Sequence, residues 1–135
     1  MQDTIRTLLQ ETRTWAVVGL SPDPRRDSHR IATLLQHKGK RVIPVNPHCT
    51  EVLGERALRS LAELPAGTTV DVVDIFRRAD QAGAHVDEAI AIGARGVWMQ
   101  LGVVDEAAAQ RARDAGLLVV MDRCPAIEWP RLGAA

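Results

Sequence analysis

Three helical stretches in this chain each end in a glycine, Gly39, Gly93 or Gly116, that leads into a short apolar, β-branched run. Glycine just beyond a helix permits the left-handed turn that stops it, so the order strand, helix, glycine, strand recurs along the chain. The runs are residues 15–19, 41–45, 70–76 and 117–121, with a weaker one at 96–100. They are continuously apolar rather than alternating, as strands covered on both faces are. The helical stretches are 28–38, with Ile31, Leu34 and Leu35 on one stripe and Ser28 as N-cap, 80–92, with Ala82, Val86, Ala89 and Ile90, and the alanine-rich 105–115. The pattern predicts a three-layer α/β fold: a mostly parallel five-stranded sheet with right-handed crossovers and helices on both faces. Residues 3–12 read as an extra amphipathic helix on the sheet, and Ser60…Glu63 as a capping box for one helical turn stopped by Pro65.

Other classes fall away on simple grounds. At 135 residues the chain is expected to be one domain, 1–135. It is 46% hydrophobic and 25% charged, which excludes disordered and fibrous classes. No apolar run approaches the roughly 20 residues of a membrane span, and the start, MQDTIRTLLQETRTW, has no secretory h-region. Seventeen basic residues balance seventeen acidic ones, so neither nucleic acid nor a membrane surface is an expected partner. Cys49 and Cys124 read as reduced thiols of a cytoplasmic protein, with no disulfide framework and no metal site.

In an open parallel sheet the ligand crevice lies beyond the carboxyl ends of the strands. The loops there carry Arg25, Arg26, Arg77, Arg78 and Arg123, a cationic edge on a chain of no net charge. Arg25, Arg26, His29 and Arg30 crowd the start of a helix, where a cation is disfavoured by about 0.3–1 kcal/mol. That crowding makes sense if an anion such as phosphate lies between the arginines and the helix amides. A solvated loop in which Asp23 and Asp27 neutralise the arginines explains the same residues. Ordinary NAD binding is not expected: Gly19 is the only glycine where G-x-G-x-x-G should stand, and Val45-Asn-Pro47 offers no acid for a ribose. The four histidines are scattered and read as solvated or capping residues. Cys124 reads as buried beside a packed tail containing Ile127 and Trp129. Asp71 is placed at the entrance of its strand, and Asp74 as an organiser of the crevice that accepts loop amides or pairs with an arginine. No catalytic residue is assigned.

Six segments resemble, in order, the small stand-alone CoA-binding proteins of bacteria. They are Val17-Val-Gly-Leu-Ser-Pro-Asp-Pro24 with Arg26 and Ser28, Ile43-Pro-Val-Asn-Pro47, Glu51-Val-Leu-Gly54, Val73-Asp-Ile-Phe-Arg-Arg78, Val97-Trp-Met-Gln-Leu-Gly102 and Val119-Val-Met-Asp-Arg-Cys124. The similarity runs from about residue 12 to residue 131. This family is the free-standing counterpart of the CoA-binding domain of the succinyl-CoA synthetase α subunit and of NDP-forming acyl-CoA synthetases. The resemblance implies a Rossmann-like domain holding CoA or acyl-CoA at the carboxyl edge of its sheet. Gly19, Leu20, Ser21, Pro22 and the amides before Ser28 would meet the phosphates, and Arg25 or Arg26 the ADP portion. Asn46 and Pro47 would flank the nucleotide, while Ile75, Phe76, Arg77, Gln100, Leu101 and Gly102 would line the pantetheine path. An acid, Asp27, stands where the family usually has proline. No histidine has the glycine-flanked setting of the synthetases' phosphorylated residue, so ligase activity is not expected. The implied role is a non-catalytic carrier, sensor or subunit that meets a partner enzyme or a second copy of itself. Two other readings stay open: a small NADP- or CoA-dependent enzyme using Cys124, and an interaction module with a vestigial pocket.

Overall fold

The computed structural model describes residues 1–133. Its strands are β1 (Thr14–Val18), β2 (Arg41–Val45), β3 (Glu51–Val52), β4 (Glu55–Arg56), β5 (Val72–Ile75), β6 (Gly96–Met99) and β7 (Leu118–Val120). Its helices are α1 (Gln2–Gln10), α2 (Asp27–His37), α3 (Ala79–Ala91), α4 (Glu106–Asp114) and α5 (Pro125–Arg131), with a 3₁₀ turn at Leu61–Glu63. Five strands form one sheet in the order β2-β1-β5-β6-β7, every neighbouring pair parallel. This is the α/β, Rossmann-like arrangement that the recurring glycines imply.

Strand side chains alternate between two apolar layers. On one face Trp15, Val17, Val72, Trp98 and Val120 pack with Ile5, Leu8 and Leu9 of α1 and Ile31, Ala32 and Leu35 of α2. On the other, Ala16, Val18, Val73, Ile75, Val97 and Met99 meet the alanines of α3 and α4. Trp15 and Trp98 lie 5.8 Å apart and both are fully buried; each indole N–H finds an acceptor, Thr12 Oγ1 at 2.8 Å and the Arg123 carbonyl at 2.8 Å. Buried indoles need such partners. Asp71 sits just ahead of β5, where its carboxylate accepts the amides of Arg13 and Thr14 at 2.8 and 2.9 Å and ties the entrances of two strands together.

Several local details differ from the sequence reading. Arg26, not Ser28, is the N-cap of α2, and Ser28 falls inside the first turn. The capping box does not form: Ser60 supplies no side-chain cap, and Glu63 accepts the amide of Arg59, one residue ahead of the N-cap, at 2.6 Å. Residues 51–56 form an antiparallel hairpin turned by Leu53 and Gly54, both at positive φ. The tail forms α5, where Ile127 stays 43% exposed, while Trp129 packs half-buried against the core with Lys38 and Lys40 over its ring.

Gly96 shows how tightly α1 is seated. A Cβ there would lie 2.8 Å from Leu8 Cδ2 and 3.0 Å from the Leu118 carbonyl oxygen. Gly96→Ala is therefore expected to lower the unfolding free energy by about 1–3 kcal/mol, the usual scale of overpacking. Urea denaturation measures this, and a loss under 0.5 kcal/mol would contradict the packing described.

Candidate functional site

The connections leaving β1 and β5 diverge: α2 covers one face of the sheet and α3 the other. This divergence at adjacent strands is the switch point at which α/β sheets place their ligands. Gly19 follows β1 with φ +83°, and a Cβ on it would stand 2.4 Å from the Phe76 carbonyl oxygen beyond β5. Only glycine fits both that conformation and that approach. The Gly19 amide is fixed by the Val45 carbonyl at 2.8 Å, and Asn46 Nδ2 donates to the Leu20 carbonyl at 2.9 Å. Asn46 Oδ1 accepts the His48 amide at 2.8 Å, so one side chain braces the loops after β1 and β2.

The loop from Gly19 to α2 is held by its own short polar side chains. Ser28 Oγ accepts the Ser21 amide at 3.0 Å, and Ser21 Oγ accepts the Asp23 amide at 3.0 Å. Asp23 accepts the Arg25 amide at 2.9 Å and its guanidinium at 3.0 Å, and this contact holds the Asp23 carboxyl below its ordinary range. Asp27 pairs with Arg30. The two acids thus neutralise Arg25 and Arg30, while Arg26 and Arg77 make no ion pair among the described residues. The first intrahelical bond of α2 runs from the Arg30 amide to the Arg26 carbonyl, and no side chain caps the helix. The amides of Asp27, Ser28 and His29 are left as unengaged donors at the positive end of the helix dipole.

Three cavities meet at half-buried Phe76. The first, about 500 Å³, is bordered by Gly19, Ser21, Arg25, Arg26, Asp27 and Ser28. The second, about 200 Å³, lies on the α3 side and is bordered by Asn46, Pro47, His48, Arg59, Ser60, Arg77, His85 and Glu88. The third, about 380 Å³, is mainly apolar and is bordered by Ile31, Gln100, Leu101, Cys124 and Ala126. Most of the residues singled out from the sequence are brought together here. Four are not. Leu20 and Ile75 are fully buried with their side chains in the core, Pro22 is exposed outside all three cavities, and the Gly102 amide is bound to Asp122 Oδ1 at 2.7 Å. Arg78 pairs with Asp80 at the start of α3. Cys124 is half-buried and borders the third cavity, not sealed in the core. Arg59, His85 and Glu88 were not anticipated. The His85…Glu88 spacing on one helix was the available signal, since residues three apart share a face.

Asp74 departs from expectation. It is wholly buried on the central strand, on the face of Val72 and Trp98, and neither carboxylate oxygen has a hydrogen-bond partner. It accepts no loop amide and pairs with no arginine. Burial alone pushes its carboxyl well above the ordinary range and so favours the protonated form. On the same face and nearer the carboxyl edge, Gln100 is 5% exposed and borders the third cavity with an unpartnered Oε1. Among the described residues no cluster of histidine, cysteine or acid side chains is arranged to hold a metal, and no helix is long and apolar enough to cross a membrane.

Fold and site together define a Rossmann-like domain whose switch point presents a glycine turn, an uncapped helix start and a cationic rim. Residues 13–130 match the family model described as the CoA binding domain, and the chain belongs to that family, whose character supports CoA binding in general. The chain is 39% identical over 120 residues to the uncharacterized protein YneT of Bacillus subtilis, covering 89% of this chain and 87% of that one. It superposes on a hypothetical protein from Pyrococcus horikoshii with TM-score 0.91 and 35% identity, over 99% of this chain and 93% of the other. The fold also matches part of acetyl-coenzyme A synthetase 1 from Ca. Korarchaeum cryptofilum, with TM-score 0.73 and 23% identity, over 87% of this chain and 28% of that one.

Because the folded state binds the Asp74 proton more tightly than the unfolded chain, the unfolded state holds fewer protons once pH exceeds the ordinary aspartate value of about 3.9. Stability should then fall as pH rises from there toward the raised folded value, by up to about 1.4 kcal/mol per pH unit. Asp74→Asn, which cannot ionise, should flatten this decline. Thermal denaturation from pH 4 to 8 measures it, and identical pH profiles for the two proteins would refute a protonated Asp74.

Proposed function

We propose that this chain binds CoA or acyl-CoA across the carboxyl edge of its sheet and has no catalysis of its own, acting as a carrier, sensor or partner subunit in the cytoplasm. One observation carries the reading: the start of α2 leaves three amides unengaged, and the residues of two of them, Asp27 and Ser28, border a cavity that also holds the glycine turn and Arg25 and Arg26. A pyrophosphate suits that corner. Its oxygens take backbone N–H donors, and a helix start with adjacent arginines stabilises its charge. Asp27 borders the same cavity, but its carboxylate is engaged by Arg30.

The other two cavities fit the rest of such a ligand. Pantetheine is a flexible chain with two amides and a terminal thiol, and the third cavity offers apolar walls with one buried acceptor, Gln100 Oε1, for an amide N–H. Asn46 and Pro47 border the second cavity, on the side left for the adenosine. Phe76, at the junction, gives the bound chain a surface to bend over. The absence of a ribose-binding acid after β2 and of the second and third dinucleotide glycines supports CoA over NAD. Two free cysteines suit a reducing compartment.

Calorimetric titration with CoA tests the proposal. Binding is expected, and Arg26→Ala, which removes an exposed and unpaired guanidinium, should weaken it about tenfold and lessen its salt dependence. Thermal stability should stay within about 0.5 kcal/mol of the parent, as for ordinary surface changes. Unchanged CoA affinity in the variant would reject the role given to this helix start.

A further inference from the structure

We infer that the compartment on the α3 side of Phe76 is a receptor for a ribose phosphomonoester, the 3′-phosphate of CoA, with Arg59 and Arg77 as its cationic contacts and His85 as an oriented third. This rests on the CoA reading above and extends it to the group that separates CoA from its dephosphorylated precursor. At about 200 Å³ the compartment is smaller than the roughly 300–1,000 Å³ of a whole-ligand site, so it suits one group of a larger molecule. It shares Gly19 and Phe76 with the cavity at the α2 start, and so adjoins the pyrophosphate corner.

Its chemistry is that of an anion site. Arg77 presents a buried Nε with no hydrogen-bond partner. Arg59 makes no ion pair among the described residues; only its main-chain amide is engaged, by Glu63, which fixes the backbone and leaves the guanidinium free. His85 Nδ1 lies 2.6 Å from Glu88 Oε1. A carboxylate on Nδ1 sets the tautomer and ring orientation, as in other histidines held through one nitrogen, and leaves Nε2 to meet the ligand. Asn46, on the rim, is already bound on both ends of its amide to Leu20 and His48, so it shapes the wall without competing for the anion. Two fixed cations and an oriented imidazole, opposed by a single carboxylate that the histidine occupies, match a phosphomonoester better than a carboxylate or a neutral sugar.

Calorimetry with CoA and dephospho-CoA, on the parent and on Arg59→Ala and His85→Gln, tests the inference. The parent should bind CoA about tenfold or more tightly than dephospho-CoA, the scale of one or two charge-assisted hydrogen bonds. Arg59→Ala should lose most of that ratio while its dephospho-CoA affinity stays within about twofold; His85→Gln should lose part of it in the same selective way. Arg41→Ala, an exposed cation at the opposite end of the sheet, should leave the ratio intact and so exclude a general charge effect. Equal affinity of the parent for both ligands, or an equal loss for both in Arg59→Ala, would overturn the inference while leaving CoA binding standing. A preference for NADP over NAD without one for CoA over dephospho-CoA would also overturn it, by assigning the compartment to a 2′-phosphate. Binding of neither CoA nor dephospho-CoA would overturn the proposed function itself, and this inference with it.

Discussion

Gly19 has no room for a side chain, because a Cβ would come within 2.4 Å of the Phe76 carbonyl oxygen. The contact joins the first residue beyond β1 to the first residue beyond β5, at the pair of strands whose connections leave for opposite faces. Any larger residue would push the two loops apart and lift the turn away from the start of α2. With glycine there, the backbone from Gly19 to Ser28 stays low, and its two serines are free to bind main-chain amides. The closeness of these strand ends sets the depth of the crevice, the place of Phe76 at its centre and the separation of its three compartments.

Electrostatics then give the crevice its sign. Arg26 as N-cap is a poor choice for helix stability: it leaves three amides without a side-chain acceptor and adds a cation to an end that already carries partial positive charge, each effect of order 1 kcal/mol. Asp23 and Asp27 relieve part of the repulsion by taking Arg25 and Arg30. The reading of the arginine-rich loop as neutralised by its own acids therefore holds for two of its cations only. The acids organise the loop, and Arg26 and the helix amides are left without a partner among the described residues.

The fold was legible because its signals are long and repeated. Continuous β-branched runs, alanine and leucine stripes at helical spacing and the terminal glycines all agree, and each survives an error of a residue or two in the boundaries. Two-residue strands such as β3 and β4 carry no periodicity, so only Leu53-Gly54 could mark their turn. The cap of α2 was misplaced for a related reason. Ser28 has the right chemistry for a cap, but its hydroxyl is used by the Ser21 amide, a contact set by tertiary packing. Asp74 reads from the sequence as a partnered carboxylate because buried charges usually are; the structure buries it without a partner, which favours its neutral form. The α2 side of the site was visible as a cluster of neighbouring residues. Its α3 side was not, since Arg59 comes from the crossover after β2 and His85 from a helix, and only the assembled sheet brings them together.

In the proposed binding mode the main-chain donors at the start of α2 grip a polyphosphate. Amide resonances of the isotope-labelled protein, followed while CoA is added, test it most directly. The largest shifts should fall on Gly19, Asp27, Ser28 and His29, with the amides of β7 unmoved. Saturable binding that leaves these four resonances in place, with the changes gathered elsewhere, would contradict it.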